Sequence, residues 1–470
     1  MMGNPGSTPA RRLASAASAT TWTTTPEAVR LQIRDLVIDT FAVIAAGSVH
    51  PSLRPAITRM TEDSGVCTVV GSSRPTTVNS AALANGAATT VLQLQDGHRI
   101  ARGHPMSHVL PAAFAVAETI GASSAQLLSA IVAGYEVSAR VGRALGGMQP
   151  LLHDTGTFGT IGAAVATAHL LSEGDVNALA EAIEGSAAVA LFPYRDTPLA
   201  GATVHHLYVG LGASTGVTAG QAAVFGLTSL SGTLESFFGP RAGAGFDPSL
   251  LIDGLTPEDT WSSYECRQAY YKVHPTCAHL NGINDALVEI ITQQRVDPDR
   301  VERVDVSSYG YALEYNTDKP ENDLSARFSI PFAVAIALLT GPLDATSIRD
   351  DVLADPRVRA LAARIRVKHD PDLDAGYPAG RPAVVTVTMT DGSTFSATAH
   401  FPKGDVSNPL TAQERRQKAT QLFSHAFEPS AVPGLLAALD GLTTGGSVAE
   451  VGRLLRAACK DTIRDGGVIS

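Results

Sequence analysis

Between Pro26 and Leu255 the chain reads in helical steps, and its helices are built largely from glycine and alanine. In "EAVRLQIRDLVIDTFAVIAAG" (Glu27 to Gly47) apolar residues recur every three or four positions. "HVLPAAFAVAETIG" and "SAQLLSAIVAGYEVSARVG" continue the pattern, separated by a break at Gly121 and a Ser123/Ser124 cap. "TFGTIGAAVATAHLLS" and "GASTGVTAGQAAVFGL" are richer still in small residues, which let helix axes approach closely. These segments predict central helices packed on one another. They are too polar and too interrupted to cross a membrane, and no uncharged apolar run reaches the roughly 18–20 residues that a span needs.

The texture changes after Cys266. "VERVDVSSYGY" (Val301 to Tyr311) alternates like a strand. "AVVTVTMTDGSTFSATAHF" (Ala383 to Phe401) is two alternating runs joined by Asp391-Gly392, a hairpin signal. Helical stretches lie between them at "LNGINDALVEIITQQ" and "SIPFAVAIALLTG", and "TAQERRQKATQLFSHAF" returns to helix. The fold class expected is mainly α with α+β. A large all-helical domain (26–265 and 403–470) carries a smaller α+β lid (266–402) inserted before the C-terminal helices. Residues 1–25, rich in Ser, Thr and Ala, read as a flexible tail.

Hydrophobic residues make up 44% of the 470, charged residues only 17%, and the net charge is −10. That balance describes a folded chain with a large core and excludes nucleic-acid binding by bulk electrostatics. Cys67, Cys266, Cys277 and Cys459 are widely spaced and form no CxxC, which fits a reducing, cytoplasmic setting without structural zinc. Arg11-Arg12 has no apolar segment behind it to make an export signal.

Against this sparse charge, "LQLQDGHRIARGHPMSHVLPAA" stands out. Three of the chain's 13 histidines fall within 11 residues, with Asp96, Arg99 and Arg102 among them. Three readings remain open. The loop is merely solvated; or Asp96, His98, His104 and His108 hold a metal; or imidazoles and Arg102 form an acid/base and anion-binding site in which Asp96 orients a histidine. His153 precedes a glycine-rich helix start in "LLHDTGTFG", where free N–H groups favour anions. His205 and His206 precede another small-residue helix that also carries Tyr208. "YYKVHPTC" puts Lys272 beside His274 and Cys277 at the proposed domain junction, where ligand sites tend to form. There is no Gly-x-Ser-x-Gly elbow for a serine nucleophile, and no GxGxxG or Walker motif between strand and helix.

Taken together and in order, these segments resemble the MmgE/PrpD family, from about residue 26 to 425. The carriers are "QDGHRIARGHPMSHVLPAA", "HDTGTFGTIGAA", "KVHPTC", "ARFSIPFAVA", "HDPDLDAGYP" and "FPKGDVSNPLT". The family includes 2-methylcitrate dehydratase, cis-aconitate decarboxylase and iminodisuccinate epimerase. The resemblance implies an enzyme without cofactor or metal that acts on small polycarboxylates. It also implies a homodimer and a site between the two domains. By position Asp96, His104, His153 and Lys272 match residues that members place in the site, and they are the catalytic residues expected here; His98, Arg102, His205, Tyr208 and Cys277 are expected around the substrate. The chain departs from the family's pattern in places. Gln95-Asp96 replaces an acidic pair, and "HHLYVG" puts His205 and Tyr208 where lysine and histidine are common. Asn281 stands at a histidine position, and Phe332 near a tyrosine position.

Family members make or break a bond to hydrogen or carbon beside a carboxylate. That step needs a base near the carbon and cations on the carboxylate that gathers charge. Dehydration is the reaction expected, with decarboxylation and epimerisation as alternatives on the same scaffold. A helical scaffold protein with a decayed site and a metal-dependent lyase or hydrolase are the other classes.

Overall fold

A computed structural model describes residues 8–61, 64–457 and 460. Its helices of ten or more residues are numbered here in chain order. The helical body is built from α1 (Pro9–Ser18), α2 (Glu27–Ser48), α3 (Val78–Thr90), α4 (Pro105–Ile120), α5 (Ser124–Ala144), α6 (Phe158–Leu171), α7 (Val176–Val189) and α8 (Leu207–Val224). At its centre α6, buried from Phe158 to Leu170, packs against α4, α5 and α8. Glycine makes this possible at two crossings. A Cβ on Gly134 of α5 would sit 2.6 Å from the carbonyl oxygen of Gly162 on α6, and one on Gly86 of α3 would sit 2.8 Å from the Cα of Gly210 on α8. The expected break between α4 and α5 is present: Gly121 is left-handed, and Ser123 forms a capping box with Gln126.

A short pair, β1 (Cys67–Thr68) and β2 (Pro75–Thr76), lies beside α3 and α4. A second pair bears on the site: β3 (Gly97–His98) runs antiparallel to β4 (Ala269–Tyr270), with Gly97 opposite Tyr270. A side chain on Gly97 would meet the Tyr270 ring at 2.1 Å, so the glycine is required. This pair stitches the loop before α4 to the segment that leads into the second unit.

That unit has its own core, from Cys277 to Ala397. Its sheet has the order β6-β5-β7-β8, from β5 (Val301–Ser308), β6 (Ile365–His369), β7 (Ala383–Met389) and β8 (Thr394–Ala399). The expected hairpin turns at Gly392, φ +83°. The parallel pairing of β5 with β6 was not anticipated, because β6 is mostly exposed and charged. α9 (Asn281–Gln293) packs on β7 and β8, and α10 (Ile330–Thr340) packs on α9 and β6. The chain then returns to the body through α11 (Ala412–Ala426), which lies along α2 and ties to it by a 2.7 Å Lys418–Asp39 ion pair. α12 (Val432–Gly441) and α13 (Val448–Ala457) complete the body.

The fold is therefore mainly helical with a smaller α+β unit, with two corrections. The flexible tail expected over 1–25 is not what residues 8–25 form: Thr8 caps α1, which buries Ala10, Leu13, Ala14 and Ala17 against the body, while residues 1–7 lie outside the described residues. Arg11 and Arg12 hold Asn177 and Asp259. Moreover, Cys266, Ala269 and Tyr271 belong to the body's core, so the second core begins near residue 277 rather than 266. No helix among the described residues is long and apolar enough to cross a membrane. Cys459 lies outside the described residues.

Candidate active site

Between the body and the α+β unit lies a cavity of about 380 Å³. It is lined by His104, Arg102, His153, His205, Lys272 and Cys277, six of the nine residues expected there.

His104 occupies the N-cap position of α4, with Pro105 in the first turn, where a missing N–H costs nothing. Its Nδ1 lies 2.5 Å from the backbone carbonyl oxygen of Asp96, a pure acceptor. Nδ1 therefore carries the proton, and Nε2 keeps its lone pair toward the cavity. Burial pushes the His104 imidazole down to about 4, against the upward pull of Asp154, whose carboxylate is 3.9 Å from Nε2. His153 has the opposite tautomer. The backbone N–H of Thr155 donates to its Nδ1 at 3.2 Å and the Thr155 hydroxyl is 2.8 Å away, so Nε2 bears the hydrogen. Asp154 Oδ1 is 3.3 Å from the same nitrogen, but the oriented amide decides the assignment. Burial lowers His153 as well. Two neutral imidazoles in one cavity thus offer an acceptor and a donor, each fixed by backbone.

Lys272 follows β4 and is 1% exposed; its ammonium has one neutral partner, Gln93 Oε1, at 3.3 Å. Burial brings it down to about 8, although Cys277 and Asp154 pull upward. Arg102 enters on a left-handed backbone, φ +55°, and lies 5.4 Å over the Tyr377 ring. Arg381, 4% exposed, lies 5.3 Å over Tyr270. Among the described residues none of these three cations has a carboxylate within ion-pair distance. Arg195, by contrast, is paired with Glu314.

Several buried polar atoms have no hydrogen-bond partner among the described residues, and a group of them borders this cavity: Gln95 Oε1, Arg102 Nε, Asp154 Oδ2, both ring nitrogens of His205, and Arg381 Nε. Buried polar atoms are nearly always satisfied, so their convergence marks a place for a polar ligand. His205 stands 5.0 Å from the His153 ring and 6.0 Å from Phe328, and burial holds it well below its ordinary value.

Three expected residues do not line the cavity. Asp96 is fully buried behind His104, where its carboxylate accepts from the N–H of Met106 and Ser107 and from the Ser107 hydroxyl. It caps α4 in place of His104. Burial raises it to about 6 despite these donors. His98 is also fully buried; its Nδ1 accepts from Ala101 and its Nε2 faces Glu265, which pins the β3 loop to the body. Tyr208 lies behind His205 and His153, and its hydroxyl donates to Thr197 at 2.7 Å. The metal reading of the loop loses its geometry too. His108 bridges the His104 carbonyl and the Gly156 amide, and no three His, Cys, Asp or Glu among the described residues are arranged around a common point. His206 turns away to Ser52, and His274 to Asp285.

Asp154, His279, Tyr311, Tyr315, Tyr377 and Arg381, none of them among the residues expected from the sequence, also line the cavity. Asp154 adjoins the histidine in "LLHDTG" and could have been read there as its acidic partner. Asn281 is buried against Thr276, and Phe332 packs in the second core, so neither departure faces the cavity.

The MmgE/PrpD N-terminal domain model matches residues 11–244, and the MmgE/PrpD C-terminal domain model matches residues 274–435. A cis-aconitate decarboxylase-like protein, oryM of Aspergillus oryzae, is 25% identical over 91% of this chain and 92% of its own length. The cis-aconitate decarboxylase of Mus musculus is 24% identical over 80% of this chain and 78% of its own. The 2-methylcitrate dehydratase of Cupriavidus necator is 35% identical, but over only 21% of this chain and 20% of its own. By name, these relatives are lyases. The chain belongs to the MmgE/PrpD family.

Proposed function

We propose that the protein is a cofactor-independent lyase that acts on a small di- or tricarboxylate by proton transfer at the carbon beside a carboxylate, with dehydration as its reaction. The observation that carries this reading is the set of three cations without a carboxylate partner, Arg102, Lys272 and Arg381, around a neutral His104 with a free Nε2. Burying uncompensated charge costs several kcal/mol per ion, and a polyanionic substrate offsets that cost.

In the forward step His104 Nε2 takes the proton from carbon. The C–H electrons become the new double bond as the neighbouring C–O bond breaks. The cations hold the carboxylate while charge gathers on it. Lys272, brought near 8 by burial, donates a proton to the departing hydroxide, which leaves as water. His153, with its Nε2–H, donates a hydrogen bond without changing charge. The substrate's own negative charge raises His104 in the complex and makes it a stronger base.

Decarboxylation is the second reading, favoured by the names of the two relatives matched over most of the chain. There the C–C electrons return to carbon, which takes a proton from the same groups as carbon dioxide leaves. Proton NMR in heavy water with citrate, 2-methylcitrate and cis-aconitate separates the outcomes. An alkene product marks dehydration, and loss of carbon dioxide marks decarboxylation. Deuterium at the α carbon of unchanged formula marks epimerisation. The reading fails if no polycarboxylate raises the melting temperature and none exchanges its α hydrogen.

A homodimer is proposed alongside, supported by the exposed apolar side chains Leu211, Phe225, Leu227 and Leu230 on and after α8. The molar mass in solution tests it.

A further inference from the structure

On the α+β side of the cavity, His279 is held in a way that its sequence neighbourhood does not announce. Its ring stacks on Tyr315 at 5.1 Å and 14°, with Tyr311 4.8 Å and Tyr377 5.8 Å away. Its Nδ1 is 2.5 Å from the Tyr309 hydroxyl, and Tyr309 is itself stacked on Tyr377 at 4.7 Å. Burial holds Tyr309 well above its ordinary value, so the phenol keeps its proton and has one to donate. Burial among Arg381, Arg195, Lys272 and Arg102 keeps His279 far below its ordinary value, so the ring is uncharged. With Nδ1 occupied, Nε2 is the nitrogen left for the cavity that His279 lines.

We propose that His279 is a substrate-binding residue: Tyr309 donates to Nδ1, and the resulting Nε2–H donates, beside Arg381, to the substrate carboxylate remote from the reacting carbon. The proposal rests on the polycarboxylate reading and adds which residue selects the second carboxylate. The reacting end belongs to the opposite wall, where His104, His153 and His205 come from the helical body. A neutral donor suits the remote end. It supplies direction without adding another cation to a cavity that already holds three unpaired ones, and the Tyr315 stack with the Tyr309 hydroxyl at Nδ1 fixes its aim. Tyr309 has the part of a positioning residue.

The test uses the full-length protein with citrate as the probe in calorimetry, and KM and kcat on whichever polycarboxylate is turned over. His279→Phe keeps an aromatic ring for the stack and removes the donor. It should weaken citrate binding and raise KM by about tenfold or more, the size of a hydrogen bond to a charged group, with kcat within about threefold. His279→Gln, which retains an N–H, should recover most of that loss. Tyr309→Phe should raise KM by a smaller factor by freeing the tautomer. Unchanged binding in His279→Phe overturns the proposal, as does a collapse of kcat at constant KM, which would move His279 to the reacting carbon. Both results leave the polycarboxylate reading intact, provided that the wild type binds citrate. Absence of any polycarboxylate binding by the wild type overturns both together.

Discussion

The two walls of the cavity are built on different principles. The wall from the helical body sets its chemistry with backbone: the Asp96 carbonyl fixes the His104 tautomer, and the Thr155 amide fixes that of His153. The wall from the α+β unit sets its shape with rings, as His279 stacks on Tyr315, Tyr311 stacks on Tyr377, and arginines lie over Tyr377 and Tyr311. Backbone groups are fixed by the chain on both sides of them and have no side-chain rotamers, so they suit groups that must hold one protonation state. A stack of rings tolerates exchange of one ring for another, so it suits groups that select a substrate. The comparison assigns reaction to the first wall and fit to the second.

The strongest way to break that division is to remove the acid/base groups. His104→Ala and Lys272→Ala should each lower turnover by at least about 10²-fold, as expected for a general base and for an electrostatic and acid group. The melting temperature should stay near that of the wild type, because neither side chain anchors the core. Near-normal turnover in both variants would remove the reaction from this wall. KM effects alone would merge the two walls into one binding surface.

The same division governs how much of the site could be read before the fold was known. His104, His153, His205 and Lys272 stand just before helices or beside a strand, in short segments dense with polar residues, so their grouping was legible. Tyr377 and Arg381 sit in "AGYPAGRPAV", which reads as the approach to a hairpin. Only the sheet and its packing bring them to the cavity. Asp96 and His98 resemble site residues in the sequence because a carboxylate or imidazole ahead of a helix looks the same as a cap and as a ligand. Its partners decide, and here they are Met106, Ser107, Ala101 and Glu265. The helix α1 was hidden for another reason. "PARRLASAAS" has the composition of a linker, and its fit depends on Leu13 and three alanines finding a groove in the body. The long helices and the Asp391-Gly392 hairpin were legible because their periodicity is local, whereas β6 was not, since its partner lies far away in the chain.

A pH profile sharpens the comparison with a smaller effect. In the free enzyme His104 must be neutral to act as base, so kcat/KM should fall as pH drops through about 4, by up to tenfold per unit below it. Lys272 must be protonated to donate and to hold the carboxylate, so kcat/KM should fall again as pH rises through about 8. The plateau between them should narrow from the acid side in kcat, because bound polyanion raises His104. Lys272→Arg should remove the alkaline limb and lower kcat as well, since guanidinium stays charged there but gives up no proton to the leaving hydroxide. An acid limb near the ordinary histidine value that is lost on substitution at His104 would deny that burial sets its basicity.

The smallest effect concerns Asp96, one residue that the two walls do not share. Its carboxylate faces the first N–H groups of α4, so its work is structural, and Asp96→Asn keeps a good cap in the same place. That variant should keep kcat within about threefold, with stability at neutral pH changed by about 1 kcal/mol or less. The pH dependence is the more telling measurement. Burial raises Asp96 to about 6 from the ordinary 3.8, so the unfolded chain releases this proton first as pH rises. The protonated form's contribution to stability is complete below the ordinary value and is lost as pH climbs through about 6. Wild-type melting should decline over that window by more than the Asn variant does, in scans at pH 4 to 7. If Asp96→Asn instead costs two orders of magnitude in kcat while its melting curve follows the wild type, the carboxylate acts through His104 in the reaction, and the backbone carbonyl alone does not account for the base.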